Sequence, residues 1–566
     1  MTRLDVDAIG EPEREQTVLS GRSYLVVDYG QSACMATLYD LVEGRYRMVG
    51  RGEGLNTAGG PWFDLTHGLQ QAIGQIADAT GRKLLTLQGQ LIRPMRGDGS
   101  GVDYFGATVS LGEPLKVLVA GLSESASIAS ARKALQSVYA REVGCLSLED
   151  GRRRPGQIET ILAQQPDVIF FVGGTDGGAD KQMRELLGAI SLALELQAEL
   201  ARPIVIYGGN AALRSVVVQA LEELTELHLV GNVRPAFEME RLDHAIAMLA
   251  QVYCTLKVEG MGSSGVLADW SNSAPMLSAH AFGGIAEYLA AAGKGRVLGV
   301  DVGSGQVTLV SANEGVVDLR IQTDKGLGRP LRNQLTASSD RDLNGATGAN
   351  GYEGPLADYI LDKSAHPGLI PQTSRAAKFE LALASRLIRQ ALARATGDQA
   401  WPADGFAPPC HTLLVRGRVF TNAANKEQAL QALLDGLRPR GVYRIVADGY
   451  GILPAMGLLA AEDPDMVVQV LTGYDLIPWA WGVSLVGHAR TGKTVINATL
   501  TPASGEAVEV EVVAGGLEIL PLGRGQRYRL ELKPAVGIDV GAGPGQERQL
   551  AITSARIGLV IDGRNL

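Results

Sequence analysis

The chain has 566 residues, which suggests about three or four domains at ~150 residues each. Charged residues make up 20% and hydrophobic residues 46%, which is ordinary for a soluble globular protein. The formal net charge is −9 and no basic stripe stands out, so we do not expect nucleic acid as a partner.

The location of the protein is predicted from its cysteines and its apolar stretches. The start, MTRLDVDAIGEPEREQ, is polar and acidic and does not resemble a secretory signal. The stretch VVQVLTGYDLIPWAWGVSLVG carries Asp475 and Pro478 mid-span, which argues against a membrane segment. The cysteines are widely separated, form no C-x-x-C pair and indicate reduced thiols: Cys34, Cys145, Cys254 and Cys410. We therefore expect a cytoplasmic protein without a membrane partner.

The first unit is predicted to follow a disordered arm of residues 1–22 and to span residues 23–115. YLVVDYG has the apolar character of a buried strand and ends in Asp-x-Gly. ACMATLYDLV and RYRMVGRGEG follow as further strands with short turns, which predicts an antiparallel hairpin sheet. DLTHGLQQAIGQIADATG has apolar residues at helical spacing and is predicted to be an amphipathic helix.

Residues 116–235 form a distinct predicted domain. Five wholly apolar strands, KVLVAGL, VGCLSL, DVIFFVGG, PIVIYGGN and LHLVGNV, alternate with helical patterns. This alternation predicts a doubly wound parallel sheet that is covered on both faces.

Three of these strands end in glycine-rich tips, at the sheet edge where open α/β sheets bind ligands. None of the tips is G-x-G-x-x-G. The candidate ligand-binding residues are Gly173, Gly174, Thr175, Asp176, Gly177, Gly178 and Asn210. Asp176 could contact a ligand or cap the following helix near Asp180, and both interpretations are open.

The second half of the chain repeats the strand, turn and strand pattern. RVLGVDVGSGQVTLVSA contains a second Asp-x-Gly, and AAKFELALASRLIRQALARATG is predicted to be an amphipathic helix. We place a second unit at residues 236–470 and a β-rich C-terminal domain at residues 471–566. A third such motif, DVGAG at Asp539–Gly543, is predicted to be only a turn between strands.

The segment GHARTGKT, Gly487–Thr494, matches the phosphate-binding pattern G-x-x-x-x-G-K-[ST]. Such a loop needs a helix after it, because the helix N-terminus supplies amides to the phosphates. The following VINATLTPAS and EAVEVEVV have strand character instead. We therefore predict a loop between two strands, with glycines in positive φ.

The most informative feature is the pair LVVDYGQSACMATLYD and LGVDVGSGQVTLVSA, about 270 residues apart. An aspartate at a strand end can hold a hydrated magnesium ion, and the glycine lets backbone N–H groups face phosphate oxygens. Two such turns across a cleft would bind a nucleoside triphosphate between them. Each aspartate could also be an ordinary turn residue, because Asp before Gly is common in turns.

This pair is typical of the actin-like ATPase fold of sugar kinases, acetate kinase and Hsp70. More closely, the order of segments resembles the MutL/GlmL family of glutamate mutase reactivation-factor-like proteins. The resemblance rests on VGGTDGG, YGGN, GNVRP, GILPAMGLLA and the terminal LEILPLGRGQ and IGLVIDGRNL. It implies an α/β, two-lobed actin-like (ribonuclease H-like) ATPase fold with an inserted doubly wound α/β domain.

The resemblance also implies a site. Asp28 and Asp301 would be the catalytic residues and the magnesium ligands. The residues implied to contact ATP are Gly30, Ser32, Gly303, Ser304, Gly305, Thr308 and Gly417. The implied partner is a subunit of an adenosylcobalamin-dependent mutase, in a homo- or hetero-oligomer. The chain has no D-x-H-x-x-G motif, so no tightly bound cobalamin is expected in it.

The nucleotide motifs depart from the family pattern. The first turn is Gln31-Ser32-Ala33-Cys34, where the family usually has Ser-Thr-Thr. The second is Gly303-Ser304-Gly305-Gln306 and lacks the family's second acid. Val415-Arg416-Gly417-Arg418 stands at the adenine-site glycine pair, where Arg416 could contact phosphate or block the pocket. Hydrolysis of ATP is therefore an open question.

Three functions follow from this interpretation. The favoured one is a nucleotide-dependent accessory or reactivation protein, acting like a chaperone on a cobalamin-dependent mutase through conformational change. The second is a catalytically degenerate family member that serves as a protein-binding scaffold, which the altered hydroxyl and acid positions favour. The third is a small-molecule kinase of the same fold, for which the sequence offers no evident catalytic base.

Overall fold

The computed structural model describes residues 21–58, 64–259, 265–335, 355–395, 400–473, 478–523, 525–553 and 555–564. The disordered arm predicted for residues 1–22 lies almost entirely outside these ranges. Within them the strands form four sheets. None of the helices in these ranges has the length and apolar character needed to cross a membrane.

The first sheet consists of β1 (Tyr24–Tyr29), β2 (Ala33–Val42), β3 (Arg45–Leu55), β4 (Tyr104–Val109) and β10 (Met276–Leu277). The order is β10-β4-β1-β2-β3. β1, β2 and β3 form the predicted antiparallel hairpins, whereas β4 is parallel to both β1 and β10. Helix α1 (Leu65–Thr80) packs on this sheet with its apolar face.

Three glycines allow the backbone of α1 to lie directly on β3. A Cβ atom on Gly52 would lie 1.9 Å from the carbonyl oxygen of Ala72, and one on Gly54 would lie 2.0 Å from that of Gly68. In the reverse direction, a Cβ atom on Gly68 would lie 1.9 Å from the carbonyl oxygen of Leu55. Any larger residue at these positions would force the helix away from the sheet.

The second sheet begins with β11 (Val297–Val302), β12 (Val307–Asn313), β13 (Val316–Gln322), β14 (Thr412–Arg416) and β15 (Gly441–Ala447). These five strands lie in the order β13-β12-β11-β14-β15. β11–β13 are antiparallel, and β14 and β15 continue in parallel. This repeats the order and directions of the first sheet. The duplication is that of the two-lobed actin-like ATPase fold, as predicted.

The helices that follow the fifth strand of each lobe meet where the lobes join. α8 (Ser278–Leu289) follows β10, and α13 (Leu453–Leu459) follows β15. A Cβ atom on Gly457 would lie 1.8 Å from the carbonyl oxygen of Ala281, so the two helices cross backbone to backbone. The second lobe also contains α9 (Pro355–Ala365), α10 (Ser374–Ala395), α11 (Arg418–Thr421), α12 (Lys426–Leu437) and α14 (Pro464–Gly473).

A third sheet is inserted between β4 and β10. It consists of β5 (Leu115–Gly121), β6 (Ala140–Ser147), β7 (Val168–Gly173), β8 (Ile204–Gly209) and β9 (Leu227–Leu229). All pairs are parallel, in the order β6-β5-β7-β8-β9, which confirms the predicted parallel sheet. Its helices are α2 (Ala129–Gln136), α3 (Arg154–Gln164), α4 (Lys181–Glu195) and α5 (Arg214–Leu221). α6 (Asp243–Tyr253) and α7 (Gly265–Trp270) return the chain to β10.

The strands of the C-terminal region divide between two sheets. β16 (Pro478–Ser484), β19 (Leu517–Leu520) and β22 (Gly558–Asp562) extend the second lobe's sheet beyond β15. β17 (Thr494–Pro502), β18 (Val508–Val513), β20 (Arg527–Pro534) and β21 (Arg548–Thr553) form a separate antiparallel sheet. An apolar core that includes Val483, Val495 and Leu559 joins the two sheets.

The segment GHARTGKT is a loop between β16 and β17, which confirms that no helix follows it. Gly487 and Gly492 have φ angles of 147° and 81°, as predicted for glycines that turn the chain. The third Asp-x-Gly is also a turn. Asp539 Oδ1 accepts the backbone N–H groups of Gly541 at 2.6 Å and Gly543 at 2.9 Å.

Candidate functional site

The two Asp-x-Gly turns have the same local geometry. In the first, the N–H of Gly30 donates to the carbonyl oxygen of Ala33 at 2.9 Å. In the second, the N–H of Gly303 donates to the carbonyl oxygen of Gln306, also at 2.9 Å. Each turn places its aspartate, Asp28 or Asp301, two residues before the glycine that begins it. The repeat seen in the sequence is therefore a repeat in three dimensions.

The two turns are in contact with each other. A Cβ atom on Gly305 would lie 2.5 Å from Cγ of Gln31, so the Gln31 side chain rests on the Gly305 backbone. Gln31 Nε2 also donates to the carbonyl oxygen of Gly112, on the segment that enters the inserted domain. The lobes thus touch at the turns, and Gln31 also contacts the segment that leads from β4 to the inserted domain.

Arg416 lies between the two aspartates. Its Nη1 donates to Asp301 Oδ2 at 2.7 Å, and its Nη2 donates to Asp28 Oδ2. Its Nε lies 3.8 Å from Asp448 Oδ2. The exposed fractions of the side chains are 15% for Arg416, 11% for Asp28, 14% for Asp301 and 1% for Asp448. One guanidinium therefore serves three carboxylates in a nearly dry space.

The backbone places these groups by register. Asp301 and Arg416 are neighbours on the parallel strands β11 and β14. Asp448 follows directly after β15, and its carboxylate accepts the N–H groups of Ile452 at 2.8 Å and Leu453 at 3.1 Å. Those bonds fix Asp448 at the N-terminus of α13, where the helix dipole favours a negative charge.

Burial and the neighbouring charges together shift the pKa values of Asp301, Asp448 and Arg416. Burial raises the pKa of Asp301 and of Asp448 above the usual aspartate range, and Arg416 opposes both shifts. Burial alone would lower the pKa of Arg416, but the attraction of Asp301, Asp28 and Asp448 outweighs it and the pKa rises. The guanidinium is therefore a permanent cation in this cleft.

The second oxygen of Asp28 is held by two hydroxyl groups. Thr108 Oγ1 donates to Asp28 Oδ1 at 2.8 Å, and Ser278 Oγ donates to the same oxygen at 2.6 Å. Thr108 is one residue from the end of β4, and Ser278 is the first residue of α8. The two hydroxyls therefore lie at the points where the chain leaves and re-enters the first lobe.

The turn residues offer free donors to an anion. Among the described residues, no acceptor bonds to the backbone N–H groups of Gln31, Ser32, Ser304 or Gly305. Asn56 Nδ2 stabilises the first turn by donating to the carbonyl oxygen of Gly30 at 2.8 Å. Consecutive free amides in a fixed turn suit phosphate oxygens.

The other two residues predicted to contact the nucleotide, Thr308 and Gly417, lie beside the end of β11. Thr308 is buried on β12 and is paired in register with Asp301. Gly417 has a φ of 112°, and a Cβ atom on it would lie 2.5 Å from the carbonyl oxygen of Val302. Gly417 therefore lets β14 lie against the end of β11.

The carboxylates suit magnesium by chemistry but not by arrangement. Mg²⁺ prefers oxygen ligands at about 2.0–2.1 Å. The space between Asp28 and Asp301 is taken by the Arg416 guanidinium, which contacts both. Within the described residues, no group of three His, Cys, Asp or Glu side chains is arranged to hold a metal ion. A magnesium ion does not fit there while Arg416 remains between the carboxylates.

The predicted ligand site of the inserted domain is held by bonds among its own tips. Asp176 Oδ1 accepts the N–H of Ala211 and the side-chain amide of Asn232, both at 2.9 Å. Asn210 Oδ1 accepts the N–H of Gly177 at 3.1 Å. Asp176 thus binds the loops after β8 and β9, and α4 begins after Asp180 without a side-chain cap. Gly173, Gly174, Thr175 and Gly178 belong to the same cluster of tips.

The comparison with known proteins decides the family. The family model described as MutL protein matches residues 24–474. The chain belongs to the MutL family. One relative of this family member, Protein MutL of Clostridium tetanomorphum, is 24% identical over 395 residues, which cover 64% of this chain and 83% of that protein.

Solved structures align with this chain at low identity. Nucleotide-free acetone carboxylase has a TM-score of 0.36 at 9% identity and covers 87% of this chain and 81% of its own. The nucleotide-free diol dehydratase-reactivating factor has a TM-score of 0.30 at 11% identity, with coverage of 78% and 100%. Component A of (R)-2-hydroxyglutaryl-CoA dehydratase from Acidaminococcus fermentans has a TM-score of 0.28 at 11% identity, with coverage of 78% and 100%.

Sequence reasoning missed four residues of this site: Thr108, Tyr139, Ser278 and Asp448. Thr108 and Ser278 are single hydroxyl residues at strand and helix ends, and no local pattern marks them. The sequence did contain a signal for Asp448, because in ADGYG an aspartate follows a strand and precedes a glycine. Tyr139 belongs to the inserted domain and accepts the N–H of Ala279 at 3.2 Å. Burial, with Asp301 and Asp28 nearby, raises its pKa.

Proposed function

We propose that this MutL family member is an accessory protein that helps to reactivate an adenosylcobalamin-dependent mutase. The mutase as partner is inferred from the family. The mode of action is inferred from the site: closure of the cleft is coupled to the inserted domain, which presents a surface to the partner. The observation that carries this proposal is the pair of hydroxyl bonds from Thr108 and Ser278 to Asp28.

The coupling starts at the ends of the insertion. A ligand that changes the position of Asp28 must also change its bonds to Thr108 on β4 and Ser278 on α8. These residues flank the whole inserted domain, so both of its attachments would shift together. A two-point attachment transmits rotation better than a single flexible linker, because it fixes orientation as well as position.

The inserted domain has a second anchor on the opposite lobe. Arg320 Nη1 on β13 donates to Gln136 Oε1 at 2.8 Å, and Ser137 Oγ donates to the carbonyl oxygen of Leu319 at 3.0 Å. The carbonyl oxygen of Ser137 also bonds His280 Nε2, on α8, at 2.7 Å. The end of α2 therefore touches both lobes, so that relative motion of the lobes would strain or reposition it.

ATP is the proposed ligand of the cleft. The free amides of Gln31, Ser32, Ser304 and Gly305 would contact its phosphates, and Asp28 and Asp301 would be the residues nearest the reacting end. Magnesium is not part of this proposal, because Arg416 lies between the carboxylates. The proposed setting is the cytoplasm.

A scaffold without turnover is the second candidate, and one observation favours it. The turns touch through Gln31 and Gly305, and Arg416 joins Asp28 to Asp301, so side chains of this protein itself connect the two lobes across the cleft. A protein of this kind would bind its partner in one fixed conformation.

Calorimetric titration distinguishes the two candidates. ATP and ADP are titrated into wild-type protein and into the variants Asp301→Ala and Lys493→Ala. The accessory proposal expects binding that is lost in Asp301→Ala and kept in Lys493→Ala, whose side chain lies on the exposed GHARTGKT loop. No binding to wild-type protein at millimolar nucleotide would favour the scaffold. Binding lost only in Lys493→Ala would contradict the cleft as the site.

The partner is tested by reactivation. A cobalamin-dependent mutase carrying inactivated cofactor is mixed with free adenosylcobalamin and ATP, with and without this protein. We expect recovery of mutase activity with wild-type protein and with Lys493→Ala. We expect reduced recovery with Ser278→Ala, because this variant removes one of the two hydroxyl bonds that connect Asp28 with the ends of the inserted domain. No recovery and no complex on gel filtration would exclude the mutase tested as a partner.

A further inference from the structure

The cation in the cleft is Arg416, and its strand position corresponds to that of a threonine in the first lobe. In the first lobe, the residue of the fourth strand that pairs with the Asp-x-Gly aspartate is Thr108. In the second lobe, the residue in the same register is Arg416. The duplicated fold therefore has a hydroxyl on one side and a guanidinium on the other. From the second lobe, Arg416 extends across the join to Asp28 of the first.

We propose that Arg416 takes the place of a divalent metal ion in this cleft and holds the two lobes together without one. The inference goes beyond the accessory function and does not depend on the identity of any partner. It makes two claims. The wild-type chain binds no divalent ion between Asp28 and Asp301. Removing the guanidinium turns the same carboxylates into a divalent cation site.

The geometry supports the first claim. The guanidinium donates to both aspartates and lies beside Asp448, so its three kinds of N–H group each face a carboxylate. A planar fork with fixed N–H directions fits such a set, whereas an ammonium would contact it as a single point charge. A metal ion would have to displace a cation that never loses its charge.

The charges support the second claim. With Arg416 in place, three carboxylates share one positive charge. Without it, three buried carboxylates face one another with no counter-charge. Such groups either take up protons or recruit a cation. Mg²⁺ and Mn²⁺ bind through one or two carboxylates and keep several waters, which would fill the space that the guanidinium leaves.

The lobe contacts around Arg416 suit a closed state that needs no metal. At the edge of the cleft, Arg418 pairs with Glu53 of β3, and Arg51 Nε donates to the carbonyl oxygen of Tyr450 at 3.0 Å. These bonds join the same two lobes as Arg416 does. They provide a matched control, because Arg418 is a neighbouring arginine whose partner is a single carboxylate.

The test measures Mn²⁺ binding by the loss of the free-ion electron paramagnetic resonance signal, together with thermal unfolding with and without Mg²⁺. We expect no bound Mn²⁺ in wild-type protein and no change of its Tm with Mg²⁺ or chelator. Arg416→Gln should unfold at lower temperature, bind one Mn²⁺ per chain and regain Tm in Mg²⁺. Arg418→Gln should bind no Mn²⁺.

Two results would overturn the proposal. One is a Mn²⁺ ion bound by wild-type protein and lost in Asp301→Asn, since the metal and the guanidinium would then coexist. The other is a folded Arg416→Gln that binds no Mn²⁺. If Arg416→Gln does not fold, Arg416→Gln/Asp448→Asn removes one carboxylate along with the guanidinium. This double variant should bind Mn²⁺ through Asp28 and Asp301, and its failure to bind would count against the proposal equally.

Discussion

At the scale of single residues, Arg416 is the residue that connects the aspartates of the cleft. It comes from the second lobe, contacts an aspartate of each lobe and is almost excluded from solvent. Buried charges are tolerated only when they are paired and hydrogen-bonded. Here the Arg416 guanidinium is the counter-charge of all three carboxylates, so the four residues form one unit, and removal of Arg416 leaves the carboxylates without that counter-charge.

Truncation of Arg416 should therefore be costly. We expect Arg416→Ala to lower the free energy of unfolding by about 3–5 kcal/mol, because it leaves buried carboxylates without their counter-charge. Arg418→Ala should cost at most about 1 kcal/mol, since its side chain is 47% exposed and solvent screens its pair with Glu53. Urea unfolding of both variants measures the difference. Equal losses of unfolding free energy in the two variants would show that the buried cluster contributes no more to stability than the exposed pair of Arg418 with Glu53.

The hydroxyl groups on Asp28 should act together. We expect Ser278→Ala and Thr108→Val each to cost about 1.5–3 kcal/mol, the range for hydrogen bonds to charged groups. Both hydroxyls donate to the same oxygen, so the double variant should differ from the sum of the single variants. Chemical denaturation of the two single variants and the double variant, compared with wild-type protein, gives the double-mutant cycle. Strict additivity would mean that the hydroxyls do not share Asp28 in solution.

His280 should give the stability a pH dependence. Burial lowers the pKa of His280, which bonds the carbonyl oxygen of Ser137. The unfolded chain, with an ordinary pKa of about 6.5, takes up the proton first as pH falls. The contribution of His280 is therefore fully present above about pH 6.5 and is lost as pH falls toward the lower folded pKa. As pH falls below about 6.5, the Tm of wild-type protein should therefore decrease more steeply than the Tm of His280→Gln.

At the scale of secondary-structure elements, close backbone approach decides the packing. α1 lies on β3 through glycines, and α8 crosses α13 at Gly457 and Ala281. Such contacts exclude side chains altogether, which explains why VGRGEG alternates glycine with polar residues in a strand. A glycine in a strand or helix interior is otherwise unfavourable.

Two glycines of α1 provide a matched pair. A Cβ atom on Gly68 would lie 1.9 Å from the carbonyl oxygen of Leu55, whereas one on Gly74 would meet nothing within 4 Å. We expect Gly68→Ala to destabilise by about 1–3 kcal/mol or more through overpacking. Gly74→Ala should stabilise by about 0.5–1 kcal/mol, because alanine loses less backbone entropy in a helix. Thermal unfolding of the two variants, which differ by six helix positions, tests the packing directly.

At the scale of the whole molecule, the inserted domain connects the two lobes. It leaves the first lobe after β4, returns at β10 and touches β13 of the second lobe through the end of α2. The cleft residues Gln31, Thr108 and Ser278 all contact its attachments or lie in them. A change in the cleft therefore has a physical route to a distant surface.

Hydrogen exchange tests this route. In Ser278→Ala we expect faster amide exchange at residues 108–115 and 276–280, which flank the insertion, and at residues 136–140, which dock on the second lobe. Exchange in the antiparallel sheet of β17, β18, β20 and β21 should stay as in wild-type protein, because that sheet has no contact with the hydroxyl pair. Uniform acceleration everywhere would indicate general destabilisation rather than coupling.

Local patterns predicted much of the fold. The apolar runs of β1, β5, β7 and β11 marked buried strands, and the alternation of the inserted domain predicted its parallel sheet. The absence of helix character after GHARTGKT predicted a loop there. These features depend on residues close together in the chain, where periodicity and turn chemistry are strong signals.

The sequence by itself determined the strands on either side of the two Asp-x-Gly turns, the turns themselves and the duplication that they imply, because each depends on a short run of residues. Only the tertiary structure decided what lies between the aspartates. Arg416 is 388 residues from Asp28 and 115 from Asp301, and no local pattern relates them. Its role comes from strand register and lobe closure, which bring one guanidinium to three carboxylates that the chain keeps far apart.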